Sequence, residues 1–585
     1  MRRLVLPLAA ALLVLCGCGG IPDSGPVTKV KADHGTDQST VRYSPAGPAR
    51  DASPEQIVRG YLDAMLAYPV TTGTAASFLT PEAAHAWKSS AGVAIYAQPE
   101  VAKQTLKGGG RELAEESATV GVHVVEDARL DNQGHFDRVN ARKEFGFHLI
   151  KSRGQWRIDN PQNGFLVNRK FFDDYYRPFN TYFFDKPGKR LVADPIYLPV
   201  GDQLSTALVS SLLLGPGRLL SGTARTYVPS STRLRTSVPL AGDGLADVQF
   251  RDDLSNLSSA AQARLSAQIT WTLRQVPDVS SVRITGGDNV LYPGDRGIQS
   301  VASWQAFGPR FGDGTFYGLQ SNHLVTLDGR TVSRVSGPWG KDAHGAILVA
   351  ADSDNVAAVR KGRTRLVIGT LSKKAVETVA GKDLLRPQWD DSGNVWAFDS
   401  PGGTTRVRLT DGKKTRTLDI GRLSRFDVRS FSLSPDSSRY AVLAEVGPAS
   451  QVFVGPVIRN AGDDVVSLGA PSPVKAQGSD FSSPRSLSWA TDTTVTFLAD
   501  DSVVGTQIFE ARIDASQVIG GTASNGALLP DVSAVALATV GGEDPVVYVT
   551  DAKKRTWLLR TGSNWERLSQ TGITAITAST TTPAR

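Results

Sequence analysis

The sequence predicts a multidomain protein with two α+β domains followed by an all-β region of the β-propeller type. The first half of the chain shows the hydrophobic periods of both helices and strands. The second half contains only short strand-like runs between turn residues, and Asp-led turns recur along it. At roughly 100–200 residues per domain, 585 residues correspond to three or four domains.

Composition and charge narrow the functional classes. The chain is 40% hydrophobic and 21% charged, which is typical of a globular protein, and its 57 Gly and 32 Pro favour β structure. The 64 Lys and Arg residues oppose 57 Asp and Glu residues, which gives a formal net charge of +7. Because this small excess is not gathered into a basic block, the sequence predicts no nucleic-acid partner.

Residues 1–17 are predicted to be a secretory signal peptide. Two arginines precede the apolar run Leu4–Leu15, which is shorter than the roughly 20 residues that a membrane-spanning helix needs. Leu15-Cys16-Gly17-Cys18 then has the pattern of a lipobox, in which a small residue precedes the modified cysteine. We predict cleavage before Cys18, which becomes an S-diacylglycerol cysteine and can then be N-acylated. The alternative is a plain secretory peptide with two unmodified cysteines.

The lipobox predicts a lipid-anchored protein on the extracytoplasmic face of the cell membrane. The two acyl chains of a diacylglycerol are sufficient for stable anchoring. Cys18 is the last cysteine of the chain, so the mature protein has neither a disulfide nor a catalytic thiol. Residues 18–50 are rich in Gly, Pro, Ser and Thr without a helical or strand period, and they predict a flexible tether.

The first folded domain is predicted over residues 51–190. Ser53-Pro54-Glu55-Gln56 has the pattern of a capping box, and Thr80-Pro81-Glu82 starts a second helix in the same way. Ser152-Arg153-Gly154 predicts a hairpin turn. The strands before that turn are predicted from two alternating runs, Val120/Val122/Val124 and Phe145/Phe147/Leu149. Helices followed by a curled antiparallel sheet resemble the conical fold of nuclear transport factor 2.

The second α+β domain is predicted over residues 195–292. A leucine-rich helix ends at the stop signal Leu214-Gly215-Pro216-Gly217, and Ser258 caps a long second helix. The apolar stripes of the two helices are Leu204, Leu208, Leu212 and Leu213, and Ala261, Leu265, Ile269 and Leu273. Short strands are predicted at Leu234–Val238, Leu245–Phe250, Ser281–Ile284 and Asn289–Tyr292.

Residues 299–585 are predicted to form a β-propeller of about six blades. Asp-led turns, each followed by a strand, recur at Asp313, Asp352, Asp391, Asp436 and Asp492, and a further unit centres on Glu543–Val549. Periods of roughly 40–50 residues made of short strands are typical of propeller blades. The alternative is a β-sandwich in which the turns resemble one another by coincidence.

An aromatic cluster lies between the first two predicted domains. Its candidate contact residues are Phe171, Tyr175, Tyr176, Phe179, Tyr182 and Phe183. Such a cluster serves either as a partner-binding patch or as packing between domains, and we favour the second interpretation.

The sequence predicts no catalytic residues, no metal site and no cofactor, and therefore a protein that is not an enzyme. None of the seven histidines has the spacing of a zinc hydrolase motif. His123 and His148, beside Asp127 and Glu144, offer an acid/base pair, but two exposed strand histidines are the favoured interpretation. The Asp-led turns resemble calcium ligands, yet each offers only one or two carboxylates, and such Asp side chains usually bond their own backbone.

The order of these segments resembles the LpqB family of actinobacterial lipoproteins over essentially the whole chain. Cys18-Gly19-Gly20-Ile21-Pro22-Asp23-Ser24 is similar to the start of the mature protein in that family. The second domain is similar to the GerMN domain of spore-germination lipoproteins. That similarity is carried by Ser211-Leu212-Leu213-Leu214-Gly215-Pro216, Val228-Pro229, Asp247-Val248-Gln249-Phe250 and Thr272-Leu273-Arg274-Gln275-Val276-Pro277-Asp278-Val279.

The resemblance implies an accessory role in the Mtr two-component system, in cell-envelope and division signalling. The lipoprotein would contact the extracellular domain of the sensor histidine kinase and modulate its output. Two alternatives stay open: an envelope ligand-binding sensor and a cell-wall glycan hydrolase, with a cell-wall component as partner. Two facing acids in a cleft would favour the hydrolase. An enclosed apolar pocket within residues 51–190 would favour the ligand-binding sensor, and a broad apolar patch would favour the adaptor.

Overall fold

The computed structural model describes residues 42–97, 99–101, 117–291, 297–308, 314–352, 354–373, 376–447, 449–475, 481–521, 527–541, 545–560 and 564–579. The predicted signal peptide, Cys18 and the tether up to residue 41 lie outside the described residues. Tyr43, within the predicted tether, already pairs with Tyr68 through two backbone hydrogen bonds of 2.9 Å. The predicted limits of the folded domains stay predictions.

The N-terminal helices begin where the sequence predicts. In helix α1 (Pro54–Ala64) the Ser53 hydroxyl accepts from Gln56 N at 3.3 Å, and Ser53 N donates to Gln56 Oε1 at 2.8 Å, which confirms the capping box. Helix α2 (Gly73–Ala76) was not predicted, because four residues carry no hydrophobic period. Helix α3 (Pro81–Ala86) is capped by the Thr80 hydroxyl, as predicted.

A curled sheet packs against these helices. Its strands are β1 (Val93–Tyr96), β2 (Glu100–Val101), β3 (Ser117–Leu130), β4 (Phe136–Ser152), β5 (Gln155–Ile158) and β6 (Phe165–Asn168). The order is β5-β4-β3-β1-β6, β2 also pairs with β3, and only β1 and β6 are parallel. The predicted alternating residues of β3 and β4 are buried against α1, and a bulge between Glu126 and Ala128 bends the long β3–β4 hairpin.

A hairpin follows the sheet and forms the centre of the molecule. Helix α4 (Arg169–Tyr175) leads into strands β7 (Tyr176–Asp185) and β8 (Leu191–Pro199), which we call the central hairpin. The short strand β9 (Ala224–Arg225) pairs with the end of β7. Eight of the nine residues of β8 are buried, so this strand has protein on both faces.

The second α+β part is built around two helices. Its elements are α5 (Leu204–Leu213), β10 (Leu245–Phe250), α6 (Ser259–Leu273), β11 (Ser281–Gly286), β12 (Asn289–Val290) and β13 (Ile298–Ser300). Strands β10 and β11 are parallel and joined by α6, while β12 and β13 pair antiparallel with β11. The strand predicted at Leu234–Val238 is wrong. Only Leu234 forms a bridge, and Val238 N donates to the Thr206 hydroxyl at 2.9 Å instead of to a neighbouring strand.

Within the described residues, the C-terminal region forms six antiparallel sheets of four or five strands, which confirms the predicted propeller class. The blades are: blade 1, Ile573–Ala578, Phe316–Gln320, His323–Asp328 and Thr331–Arg334; blade 2, Ala346–Ala351, Asn355–Arg360, Arg365–Thr370 and Val376–Ala380; blade 3, Gln388–Trp389, Val395–Asp399, Arg406–Thr410 and Thr415–Thr417; blade 4, Asp427–Leu433, Arg439–Val446, Ala449–Arg459, Val465–Leu468 and Ser472–Pro473; blade 5, Phe481–Trp489, Thr494–Asp501, Gly505–Arg512 and Val518–Gly520; blade 6, Ala534–Val540, Val546–Asp551, Arg555–Arg560 and Glu566–Thr571. Helix α7 (Pro338–Lys341) connects blades 1 and 2.

The ring closes because the last strand of the chain completes the first blade. Ile573–Ala578 pairs antiparallel with Phe316–Gln320, so blade 1 combines both ends of the region. Inner strands also bond across blades: Trp389 Nε1 donates to the Ala350 carbonyl at 3.3 Å, and Trp489 Nε1 donates to the Ser432 carbonyl at 3.2 Å. These contacts tie the first strand of one blade to the first strand of the blade before it.

The Asp-led turns at Asp352, Asp391, Asp436 and Asp492 lie between the first and second strands of blades 2 to 5. The predicted turn residues Asp313 and Glu543 lie outside the described residues. Asp352 Oδ1 accepts from the backbone N–H groups of Asp354 and Asn355, and Asp390 Oδ1 accepts from those of Ser392 and Asn394. In blade 3 the turn is therefore closed by Asp390 and not by its neighbour Asp391, the residue predicted from the sequence. The side chain of Asp391 makes other contacts. We call the end of the propeller that carries these turns the turn face.

Candidate functional site

An open apolar groove of about 270 Å³ lies between the N-terminal sheet and helix α5. Val93 of β1, Phe165 of β6 and Pro199 of β8 line it together with Leu214, which follows the last residue of α5. Leu214 is 56% exposed, which is unusual for a large apolar side chain beside other apolar surface. Apolar surface of this kind is typical of protein-binding sites, so this groove is the candidate partner site.

Hydrogen bonds hold the end of α5 against the turn between β3 and β4, beside the groove. Gln133 Nε2 donates to the Gly215 carbonyl at 2.7 Å, and Gly217 N donates to Asp194 Oδ2 at 2.6 Å. Gly215 has a φ of +89°, and a Cβ added to Gly217 would lie 2.2 Å from Nε2 of His135. The helix stop signal of the sequence is thus also a point of close approach between two parts of the chain.

His135 carries charge at this junction. Its Nδ1 lies 3.0 Å from Asp131 Oδ2, and its Nε2 lies 3.1 Å from Oδ2 of Asp194, a buried residue of β8. Burial alone lowers the pKa of an imidazole, but the hydrogen bonds and charges of the two carboxylates outweigh it and raise the pKa of His135 to about 9. The imidazole is therefore a cation at neutral pH and compensates the buried charge of Asp194.

The central hairpin contacts the propeller through Arg190. Its guanidinium pairs with Asp185 of the hairpin at 2.8 Å and with Asp463 of blade 4 at 3.1 Å, and its Nε contacts the carboxylate of Asp391 in the turn of blade 3. Arg459, almost fully buried, lies 3.5 Å from Asp463 on the propeller side. One arginine thus joins the hairpin to two blades.

Asp391 and Asp463 also border a polar cleft of about 590 Å³. Burial raises the pKa of Asp391 to about 6, although Arg190 and Arg459 act in the opposite direction. Burial also acts to raise the pKa of Asp463, but Arg190 and Lys189 outweigh it and lower that pKa. Two carboxylates with separated pKa values suit a glycan hydrolase. Here both carboxylates are ion-paired with Arg190, so Asp391 and Asp463 serve to join the propeller to the central hairpin.

The structure places the aromatic cluster mostly in the interior. Phe171 and Tyr176 are buried with Phe136 of β4 and Tyr197 of β8, whereas Tyr175 is half-buried beside them. Phe183 belongs to the core around α5 and α6, and half-buried Phe179 packs against it. Tyr182 lies edge-on to Trp271 of α6, with ring centroids 5.4 Å apart. These six side chains pack between the N-terminal sheet, the central hairpin and α6.

The two strand histidines are not brought together. The β3–β4 register places His123 opposite Glu144 and His148 opposite Thr119, which separates them by about 14 Å at 3.4 Å per residue. His123 is exposed, and the Nδ1 atom of His148 lies 2.8 Å from Asp159. Both lie on the face of the sheet opposite to the core.

Metal-ligating side chains do not gather in the described part of the chain: it contains no group of three or more His, Cys, Asp or Glu residues that could hold an ion. The aspartates of the propeller turns instead accept backbone N–H groups or pair with arginines, as described above. Among the same residues, no helix is long and apolar enough to cross a membrane.

Sequence reasoning missed the residues that join the parts of the chain: Gln133, His135, Arg190 and Asp194. For Arg190 a weak signal exists, since the basic pair Lys189-Arg190 directly follows the turn residues Pro187-Gly188 and faces a region rich in Asp-led turns. For His135 and Asp194 no local pattern marks a pair that is far apart in sequence.

Comparison with known proteins agrees with this architecture. Three sequence-family profiles match the chain: "Lipoprotein LpqB, N-terminal domain" over residues 47–173, "Sporulation and spore germination" over 180–291 and "Lipoprotein LpqB beta-propeller domain" over 322–576. Among solved structures, the first GerMN domain of the sporulation protein GerM from Bacillus subtilis is 22% identical, with a TM-score of 0.18, and the match covers 22% of this chain and 95% of that one.

Several full-length relatives carry one name. "Lipoprotein LpqB" of Mycobacterium ulcerans is 31% identical over 477 residues, which cover 76% of this chain and 79% of the relative. The proteins of the same name from Cutibacterium acnes and Streptomyces avermitilis are each 26% identical, and the matches cover 94% and 98% of this chain, and 95% and 98% of the relatives.

A conical α+β sheet, a GerMN-type unit and a six-bladed propeller, joined by a buried hairpin, define a class of multidomain β-propeller lipoproteins. The chain belongs to the lipoprotein LpqB family. Membership in a lipoprotein family implies a membrane-anchored, extracytoplasmic protein. The relatives are named as lipoproteins and not as enzymes.

Proposed function

We propose that this protein is a lipid-anchored adaptor that uses the groove beside Leu214 to bind the extracellular domain of a membrane sensor histidine kinase and to modulate its output. The observation that carries the proposal is the open apolar groove, beside which two hydrogen bonds hold the end of α5 in place. Such a preformed surface loses little conformational freedom on binding.

The anchor supports the same function. Diacylglycerol on Cys18 would keep the protein in a thin layer at the membrane, where the effective concentration toward membrane neighbours is high. An adaptor for a membrane kinase benefits from this restriction directly. A protein that only captured a diffusible ligand would not require it.

The groove argues against the ligand-binding sensor, and the polar cleft argues against the glycan hydrolase. The groove is open and shared with α5, whereas a ligand-binding sensor would favour an enclosed pocket within residues 51–190. The polar cleft holds two carboxylates, but both are ion-paired with Arg190, through Oδ2 of Asp391 and Oδ2 of Asp463, whereas a hydrolase needs its two carboxylates for acid/base or nucleophilic work. Both features favour the adaptor.

Crosslinking in intact cells tests the proposal. We expect a photo-crosslinker beside the groove to capture one sensor kinase. Leu214→Asp should reduce that capture at least about tenfold, because it places a charge in an apolar contact. Val503→Asp is the matched control, because Val503 is 76% exposed in a turn of blade 5, and it should leave capture unchanged.

The anchor is tested in the same experiment. Cys18→Ala should remove the lipid and with it the captured kinase, while the groove is intact. Recovery of wall-synthesis proteins or glycan without a kinase would contradict the adaptor function and favour an envelope enzyme or a wall-binding module. Equal capture by the Leu214→Asp and wild-type proteins would place the binding surface elsewhere.

A further inference from the structure

The central channel of the propeller contains a small cavity of about 50 Å³ near the turn face. The inner strands of blades 1, 4, 5 and 6 line it with their last residues, and blade 3 contributes Arg386 and Gln388. The polar groups around it include the hydroxyls of Ser432, Ser488 and Thr577. None of the described residues that line it is acidic.

Arg386 lacks a partner in this cavity. Its Nε is buried without a hydrogen bond, and no carboxylate of the described residues pairs with it. Other buried arginines of the propeller differ: Arg459 lies within 3.7 Å of Asp391, and Arg439 donates to the Ala193 carbonyl at 2.5 Å. Burial lowers the pKa of Arg386 to about 10, and it stays a cation at neutral pH.

A second polar group beside Arg386 also lacks a partner. Gln388 Oε1 is buried without a hydrogen bond, and rotation of the carboxamide would present its NH₂ group at the same place. The Ser432 side chain also lines the cavity, and its hydroxyl is a further potential donor. Two buried polar groups without a partner, one of them a guanidinium, thus face one cavity, and an unpaired buried polar group is costly.

We propose that this cavity binds a compact oxyanion, with Arg386 as the principal donor and Gln388 and Ser432 as supporting donors. The oxyanion is either inorganic phosphate or the carboxylate of a small organic acid. A guanidinium forms charge-assisted, often bidentate, hydrogen bonds with both groups. The cavity of about 50 Å³ exceeds the roughly 10–15 Å³ that one water molecule needs, and it fits a small polyatomic ion.

Calorimetric titration of the full-length protein in a nonionic detergent tests the site. Sodium phosphate and sodium acetate are titrated separately into Tris buffer, with sodium chloride keeping the ionic strength constant. We expect one anion per chain, with phosphate or acetate identifying the source. Arg386→Gln should weaken binding at least about tenfold. Arg334→Gln, which removes an exposed arginine from the outer strand of blade 1, should bind like wild type.

Thermal melting separates a binding arginine from a structural one. Without the oxyanion, Arg386→Gln should melt at the same or a higher temperature than wild type, because an unpaired buried charge is removed. Arg386→Lys keeps the charge and should retain a weaker phosphate-dependent increase in Tm. The proposal is overturned if neither anion binds wild type, if Arg386→Gln binds equally well, or if Arg386→Gln lowers the Tm in buffer without the oxyanion.

Discussion

At the scale of single residues, His135 shows how one side chain joins three segments of the chain. It connects Asp131 of its own turn to Asp194 of the central hairpin, and Gly217 donates to the same Asp194 oxygen. A neutral side chain at position 135 would leave Asp194 buried without a cation, and an unpaired buried carboxylate is strongly destabilising. The charge of this imidazole therefore supports the junction beside the groove.

The stability of the protein should depend on pH through this residue. The folded pKa of His135, about 9, lies above its ordinary value of 6.5. The stabilisation is therefore complete below pH 6.5 and is lost as the pH rises through 9. We expect a loss of roughly 3 kcal/mol of unfolding free energy over that interval, measured by denaturant titration.

His135→Gln is the control for this pH dependence. Between pH 6.5 and 9 its unfolding free energy should change less than that of wild type, because it has no imidazole to deprotonate. A parallel pH dependence in the two proteins would mean that His135 does not titrate as predicted.

At the scale of secondary structure, polar side chains in and just after the C-terminal half of helix α6 form hydrogen bonds with the backbone of strand β7. Gln275 exchanges hydrogen bonds with the backbone of Asn180, at 2.8 and 2.6 Å. Tyr182 N donates to the Thr272 hydroxyl at 3.2 Å, and Gln268 Nε2 donates to the Tyr182 carbonyl at 3.1 Å. Side chains at positions 268 and 272 of α6, and Gln275 just after the helix, thus satisfy the backbone of β7 where it has no strand neighbour.

Removing one member of this series should destabilise the hairpin. Gln268→Ala leaves the Tyr182 carbonyl and the Tyr227 N–H buried without partners, since Gln268 Oε1 accepts from Tyr227 N at 2.7 Å. We expect a loss of about 2 kcal/mol or more in unfolding free energy, measured by denaturant titration. Gln203→Ala, at an exposed position before α5, should change it by less than about 0.5 kcal/mol. Similar losses in the two variants would refute the assignment.

At the scale of the whole molecule, the central hairpin unites the N-terminal parts with the propeller. Arg439 of blade 4 donates to the Ala193 carbonyl, and the Tyr197 hydroxyl donates to Ser516 Oγ of blade 5 at 2.8 Å. Together with Arg190, these contacts join β8 to three blades of the turn face. These contacts therefore connect the part of the chain that carries the groove directly to the propeller.

Arg190→Gln should uncouple these parts. It leaves Asp185, Asp391 and Asp463 without their shared guanidinium, and breaking a buried ion pair costs about 3–5 kcal/mol. We expect the Tm to fall and the calorimetric transition to split into separate transitions. Arg235→Gln, whose partner Asp288 is 99% exposed, should melt like wild type. An unsplit transition at the wild-type temperature would show that Arg190 does not couple the parts.

Much of the fold could be predicted from local sequence. The capping box at Ser53, the N-cap at Thr80, the helix stop at Gly215 and the alternation in β3 and β4 act over a few residues, and the structure shows them where they were predicted. The recurring Asp-led turns predicted the propeller because an Asp-containing turn recurs between the first two strands of blades 2 to 5. Local physics also explains the one misassigned strand, since an alternating run near Leu234 looks the same whether or not a neighbour pairs with it.

The sequence alone determined the capped helices, the alternating strands, the order of the domains, the family and the predicted lipid site at Cys18, because periodicity, capping, turn chemistry and the lipobox are read from adjacent residues. Only the tertiary structure decided the roles of His135, Arg190 and Arg386. The roles of His135 and Arg190 depend on the burial of a charge and on which carboxylate, distant in sequence, lies within hydrogen-bond distance. The site proposed at Arg386 depends instead on a buried guanidinium Nε without a partner. Desolvation and ion pairing act through space, so they become defined only when the hairpin and the blades have packed.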